Sequence, residues 1–101
     1  MQNIDPSEVT KFNQMAATWW DPNGPCEPLH KLNPVRLSYI TSKVSVEDQK
    51  VLDIGCGGGI LTESLAIMGA DISGLDLAED ALTVARLHWP ETAKIKPPTY
   101  I

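Results

Sequence analysis

Long hydrophobic runs are missing from these 101 residues. No apolar stretch approaches the roughly 20 residues that a membrane-spanning helix needs. Positive charge is scarce as well: 8 Lys and Arg stand against 13 Asp and Glu, a formal net charge of −5. With no basic stripe to neutralise phosphates, the chain argues against a nucleic-acid partner, and strong electrostatic attachment to anionic lipid is disfavoured. The opening residues Met1-Gln2-Asn3-Ile4-Asp5-Pro6 lack the basic and apolar regions of a secretion signal. Cysteine is limited to Cys26 and Cys56, whose spacing fits neither a zinc site nor a disulfide framework, so a reduced cytoplasmic setting is expected. What remains is 43% hydrophobic and 21% charged, a globular composition with room for one small domain.

What is present in abundance is glycine in one place. Lys50-Val51-Leu52-Asp53-Ile54 is a short apolar run holding one acid, and Gly55-Cys56-Gly57-Gly58-Gly59 follows it directly. A helical pattern begins at once, with Leu61, Leu65 and Met68 on its buried side and Gly69 at its end. This succession predicts a buried strand, a tight turn and a helix whose free N–H groups face a ligand. Asp71-Ile72-Ser73-Gly74-Leu75-Asp76 predicts a second strand ending in an acid, and Ala78 to His88 a second helix that Pro90 stops. From Glu91 the pattern decays, and Pro97-Pro98 fits neither a helix nor a central strand. The expected fold class is α/β: the first βαβα half of a Rossmann-like fold, with a truncated sheet and two N-terminal helices before it. The expected divisions are a helical extension over 1–49, a binding half-domain over 50–90 and an irregular tail over 91–101.

The first of those helices is expected to start at Asp5-Pro6-Ser7-Glu8, by a capping residue followed by proline. Val9, Phe12, Ala16, Trp19 and Trp20 then recur at helical spacing. Trp19 and Trp20 serve either to pack this helix onto the rest of the chain or to form a lid or substrate wall. Four glycines and prolines place Asp21 to Leu32 in a loop, where His30 has a structural or solvated role. Asn33-Pro34 is expected to open the second helix, with Leu32 and Leu37 as its hydrophobic staple. Arg36 would then lie in the first turn, where a cation opposes the helix dipole. It is either solvated or turned toward an anionic ligand group.

The ligand class follows from the acids around the glycine loop. Gly55 and Asp76 lie 21 residues apart, which brings the loop and the second strand's terminal acid to one edge of a βαβ unit. A carboxylate there can accept from both hydroxyls of a ribose. The dinucleotide pattern G-x-G-x-x-G is broken, because Ile60 stands where its third glycine belongs, and no Gly-Lys-Ser/Thr of a phosphate loop follows. Asp53, two residues before the loop, repels phosphate and suits a cation or primary amine. S-adenosylmethionine, with a ribose, an ammonium, a sulfonium and no phosphate, fits that set. A strand-end hydrogen bond is the alternative reading of Asp53, and a dinucleotide-binding oxidoreductase half is a weaker alternative for the chain.

Val51-Leu52-Asp53-Ile54-Gly55-Cys56-Gly57-Gly58-Gly59 resembles motif I of class I S-adenosylmethionine-dependent methyltransferases, and Gly74-Leu75-Asp76 resembles the acidic end of their second strand. Trp19-Trp20-Asp21 and Pro28-Leu29-His30-Lys31-Leu32-Asn33-Pro34-Val35-Arg36-Leu37 resemble, more narrowly, the ubiquinone-biosynthesis O-methyltransferases. The resemblance runs from about Lys11 to His88. It implies S-adenosylmethionine as cofactor and a polyprenylated phenol or catechol as substrate. It implies cofactor contacts at Gly55, Asp76 and Arg36, the last toward the methionine carboxylate, with Gly57 shaping the loop and Asp53 orienting the methionine end. Cys56 is a small loop filler, since no His and acid partner marks it as a nucleophile. Members of this family have a seven-stranded sheet and more than twice this length, so the chain is expected to be an N-terminal portion or truncated form, with a non-catalytic remnant or interaction module as the alternative function. The lipid-soluble substrate leaves room for peripheral contact with the inner membrane through Trp19 and Trp20, or for contact with other ubiquinone-synthesis proteins.

Overall fold

The computed structural model describes residues 6–90 and 92–101. Pro6 begins helix α1 (Pro6–Trp20), and the expected cap at Asp5 lies outside the described residues. Helix α2 (Glu27–Lys43) leads to strand β1 (Lys50–Ile54), helix α3 (Ile60–Ile67), strand β2 (Asp71–Leu75), helix α4 (Glu79–His88) and strand β3 (Thr99–Tyr100). The strands form one parallel sheet in the order β1-β2-β3. The expected βαβα unit is therefore present, with both expected helices ahead of it.

The second helix begins earlier than its sequence suggests. Glu27 and Pro28 occupy its first turn, where a missing N–H goes unnoticed, and Pro34 lies inside it. The loop shrinks to a compact turn: the Gly24 N–H bonds to Asp21 O and the Glu27 N–H to Gly24 O, both at 3.0 Å. Asn33 caps nothing, because its side-chain amide donates to Ser64 Oγ across the α2–α3 contact at 3.0 Å. An interior proline costs a helix about 3 kcal/mol or more. Here α2 has a partner in α3 to offset it, with Leu37 and Ile40 packed against the core below. The staple between Leu32 and Leu37 does not form, since both residues are inside one helix and Leu32 is exposed.

The tail also differs from expectation. Pro97-Pro98 stay out of the sheet, but Thr99 and Tyr100 pair with Ser73 and Gly74 of β2. The Ile101 N–H bonds to Gly74 O at 2.9 Å, and Arg86 Nη2 donates to Tyr100 O at 2.9 Å. A two-residue strand carries no periodicity, so its signal is in tertiary partners rather than in local pattern.

Two buried clusters hold these layers. Leu61, Leu65, Ala66, Ala70 and Ile72 join Val46 between α3 and the sheet. Leu82 and Ala85 of α4 close on Tyr100, with Cys56 against them. Gly74 is small for the same reason, because a Cβ there would meet Cys56 Sγ and the Tyr100 ring. The other face of β1 is bare: Leu52 and Ile54 are 55% and 74% exposed. No helix among the described residues is long and apolar enough to cross a membrane.

Candidate binding site at the glycine loop

The loop after β1 is tied to the end of β2. The N–H groups of Gly55 and Cys56 both bond to Leu75 O, at 2.7 and 3.1 Å. Gly55, Gly57 and Gly59 take φ of +75°, +57° and +88°, conformations that side chains with a Cβ rarely adopt. Gly59 caps α3 in this left-handed state, with Tyr100 Oη and Ala85 Cβ against the place where its own Cβ would stand. The chain therefore leaves β1 in a tight coil and enters α3 without steric freedom for larger residues.

Asp76 stabilises that coil. Its Oδ2 accepts from the Gly57 N–H and its Oδ1 from the Ala78 N–H, each at 2.8 Å. Those two donors favour the ionised carboxylate, first Ala78 and then Gly57, and hold it below the ordinary aspartate range. A carboxylate offers about four acceptor positions, so about two remain for a ligand. Asp53, on the neighbouring strand, accepts from Thr62 Oγ1 at 2.6 Å. Thr62 is fully buried, so this bond fixes the carboxylate against α3. Asp53 thus makes a hydrogen bond at the strand end, to a side chain rather than to the loop backbone.

Beside the loop opens a cavity of about 200 Å³ lined by Arg36, Asp53, Gly55 and Gly57, and by Trp19, Leu29 and the start of α3. The structure thus brings four of the five expected site residues to one cavity, and the fifth, Asp76, grips the Gly57 backbone at its rim. Arg36 arrives from the third turn of a longer α2 than expected, so its place owes nothing to a first-turn position. Cys56 also lines the cavity, but burial, then Asp53 and Asp76, push its thiol up to about 11. It stays protonated at neutral pH and is a poor nucleophile.

Trp19 and Trp20 divide the two tasks expected of them. Trp20 packs: its ring stacks on His88 with centroids 3.6 Å apart and planes 4° apart, and its Nε1 donates to Gly58 O at 3.2 Å. His88 Nδ1 in turn lies 2.8 Å from Glu63 Oε2. Trp19 lines the cavity, while its carbonyl accepts from His30 Nε2 at 2.9 Å, which gives His30 a structural role. The Trp20–His88–Glu63 clasp and the Asp53–Thr62 bond carry no motif, because each joins residues from separate elements whose meeting only the fold decides. Among the described residues no group of three or more His, Cys, Asp or Glu could hold a metal ion.

A family model described as a methyltransferase domain matches residues 51–97. The chain is 55% identical over 91 residues to the ubiquinone biosynthesis O-methyltransferase of Hydrogenovibrio crunogenus, covering 90% of this chain and 38% of that protein. The enzyme of the same name from Thiobacillus denitrificans is 51% identical over 94 residues, which is 93% of this chain and 40% of that one. The chain thus spans about two fifths of the length of these curated relatives, and the likeness seen in its motifs holds over nearly all of it. Among solved structures, magnesium protoporphyrin IX methyltransferase from Synechocystis, with bound S-adenosylhomocysteine, superposes with a TM-score of 0.70 at 22% identity. That match covers 91% of this chain and 45% of that one and establishes the shared Rossmann-like fold. An S-adenosylmethionine-dependent methyltransferase from Mesorhizobium loti gives a TM-score of 0.53 at 30% identity, over 63% of this chain and 29% of that one.

Proposed function

We propose, for a chain related in sequence to the ubiquinone biosynthesis O-methyltransferases, that the glycine-loop cavity is the ribose and methionine side of an S-adenosylmethionine site. It serves O-methylation of a polyprenylated phenol or catechol in ubiquinone biosynthesis. The observation that carries this reading is the convergence of Arg36, Asp53, Gly55 and Gly57 on one cavity, with Asp76 bonded to the same loop.

The donor set fits the group. Asp76 has acceptor positions left for a ribose diol and a depressed pKa that keeps it ionised. Asp53, held by Thr62, offers negative charge to an ammonium, and Arg36 lines the same space with a fork suited to a carboxylate. The positive-φ glycines let a ligand approach the backbone with no Cβ in the way. When bound, the cofactor supplies a methyl group on a sulfonium, open to in-line attack by a phenolate oxygen. The residues here bind and orient; their contribution to rate is positional.

Titration calorimetry with S-adenosylhomocysteine tests the reading. Saturable binding, weakened at least tenfold by Asp76→Ala, is the expected result. No saturable heat, or identical heats for both proteins, overturns it. A second reading is a non-catalytic remnant or interaction module. Binding without methyl transfer to a short-chain prenylated catechol would favour it.

A further inference from the structure

Gly58 is the one glycine of the loop with an ordinary backbone φ, so conformation does not explain it. Its surroundings do. A Cβ at Gly58 would overlap Nε1, Cε2 and Cδ1 of Trp19, all closer than the 3.0 Å that real Cβ contacts respect, and a Cβ at Gly57 would touch the same indole. The loop is bare there because an indole lies against it.

The backbone that carries this indole is held at Trp19 and at its neighbour. His30 bonds to the Trp19 carbonyl, and the neighbouring Trp20 is fixed to Gly58 O and stacked on His88, which Glu63 secures. The Trp19 Nε1 is buried and has no hydrogen-bond partner, an uncommon state for an indole N–H. Trp19 lines the cavity together with Asp53 and Arg36. A tryptophan face beside a carboxylate attracts cations, and tryptophan is the strongest aromatic partner for them.

We propose that Trp19 is a ligand-contacting wall of the cavity, that it recognises the cationic methionine end of the bound cofactor together with Asp53, and that Gly58 is glycine in order to seat it. The inference rests on the cofactor reading above. It makes α1 a working part of the site rather than an appended helix.

The test is a double-mutant cycle on S-adenosylmethionine binding by the full chain, followed by calorimetry, with circular dichroism confirming the fold of each variant. Trp19→Leu is expected to weaken binding about tenfold, in line with the loss of a desolvated cation–π contact, and Trp19→Phe to weaken it less. Gly58→Ala displaces the indole and is expected to weaken binding similarly in the wild-type background. In the Trp19→Leu background it is expected to add less than twofold, because the ring it would displace is already gone. Ligand-induced change in tryptophan emission is expected in wild type and lost in Trp19→Phe. Binding by wild type that Trp19→Leu leaves within twofold, or a Gly58→Ala effect equal in both backgrounds, overturns the inference while the cofactor reading stands. Failure of wild type to bind removes the cofactor reading and this inference with it.

Discussion

Gly59→Ala probes the joint between the loop and α3. Gly59 holds φ at +88°, and an added Cβ would lie 2.5 Å from Tyr100 Oη and 3.1 Å from Ala85 Cβ. A left-handed residue with a Cβ costs roughly 1–2 kcal/mol. Crowding a packed site costs about 1–3 kcal/mol more. Tyr100 cannot swing away cheaply, because it is 9% exposed, wedged between Leu82 and Ala85, and tied through its strand to β2. The expected loss is therefore about 2–5 kcal/mol, a large part of the about 5–15 kcal/mol that holds a typical domain together. Gly55→Ala is the matched control: φ is +75°, but nothing lies within 4 Å of the added carbon, so only the backbone cost of about 1–2 kcal/mol applies. Urea denaturation followed by circular dichroism measures both. In a Tyr100→Phe background, which removes the nearest atom, Gly59→Ala is expected to cost about 1 kcal/mol less, as contacting residues couple. Equal losses for the two glycines, or no change in the Tyr100→Phe background, would refute this account of the loop.

Other outcomes follow from single contacts. Thr62→Val deletes the buried donor to Asp53 and is expected to destabilise the fold by about 1–3 kcal/mol in urea melts, with weaker S-adenosylhomocysteine binding in calorimetry. The Cys56 thiol, raised to about 11, is expected to resist iodoacetamide at about pH 8.5, where an ordinary thiol reacts, and to become reactive in urea; mass spectrometry reads this directly. Burial, then Glu63, also raises the Tyr100 phenol above its ordinary value of about 10. Both groups hold their protons more tightly when folded, so their contribution is fully present at neutral pH and falls away as pH rises past about 9 for the thiol and about 10 for the phenol. Thermal melts from about pH 8 to 11 are expected to show this loss, with a shallower slope for Tyr100→Phe. At the sheet's edge, β1 has no strand partner beyond β2 among the described residues, and its Leu52 and Ile54 are exposed. Ile54→Lys is expected to reduce concentration-dependent association in sedimentation experiments, since charge on an edge strand blocks further pairing.

The legible parts of this fold are those in which local chemistry and tertiary demand agree. Lys50–Ile54, the loop glycines and Gly69 each announce a backbone state that few residues tolerate, so a strand, a coil and a helix end could be placed from them alone. Asn33-Pro34 misleads because its rule is statistical: a proline after a capping residue opens a helix unless an earlier proline already does so. Pro28 does, and Asn33 is drawn to Ser64 instead. Thr99-Tyr100 gives no local signal at all, since its place is decided by Gly74, Cys56 and Arg86 from three other segments.

The same distinction separates the site residues. Asp53, Gly55, Gly57 and Asp76 sit within one βαβ unit, where parallel strands fix which ends meet, so their convergence could be deduced. Beyond the family resemblance, Arg36 could only be suspected through a helix position that the structure does not bear out, yet α2 packs on α3 and delivers it to the same cavity. Trp19 comes from α1, and its contact with Gly58 gives the middle one of three consecutive glycines a cause. A glycine repeat can therefore conceal two unlike requirements. Gly57 and Gly59 are dictated by backbone angle, and Gly58 by the ring set against it. Alanine at each position separates them: removing the indole relieves the Gly58 substitution, whereas Gly57 and Gly59 keep the cost of their left-handed backbone.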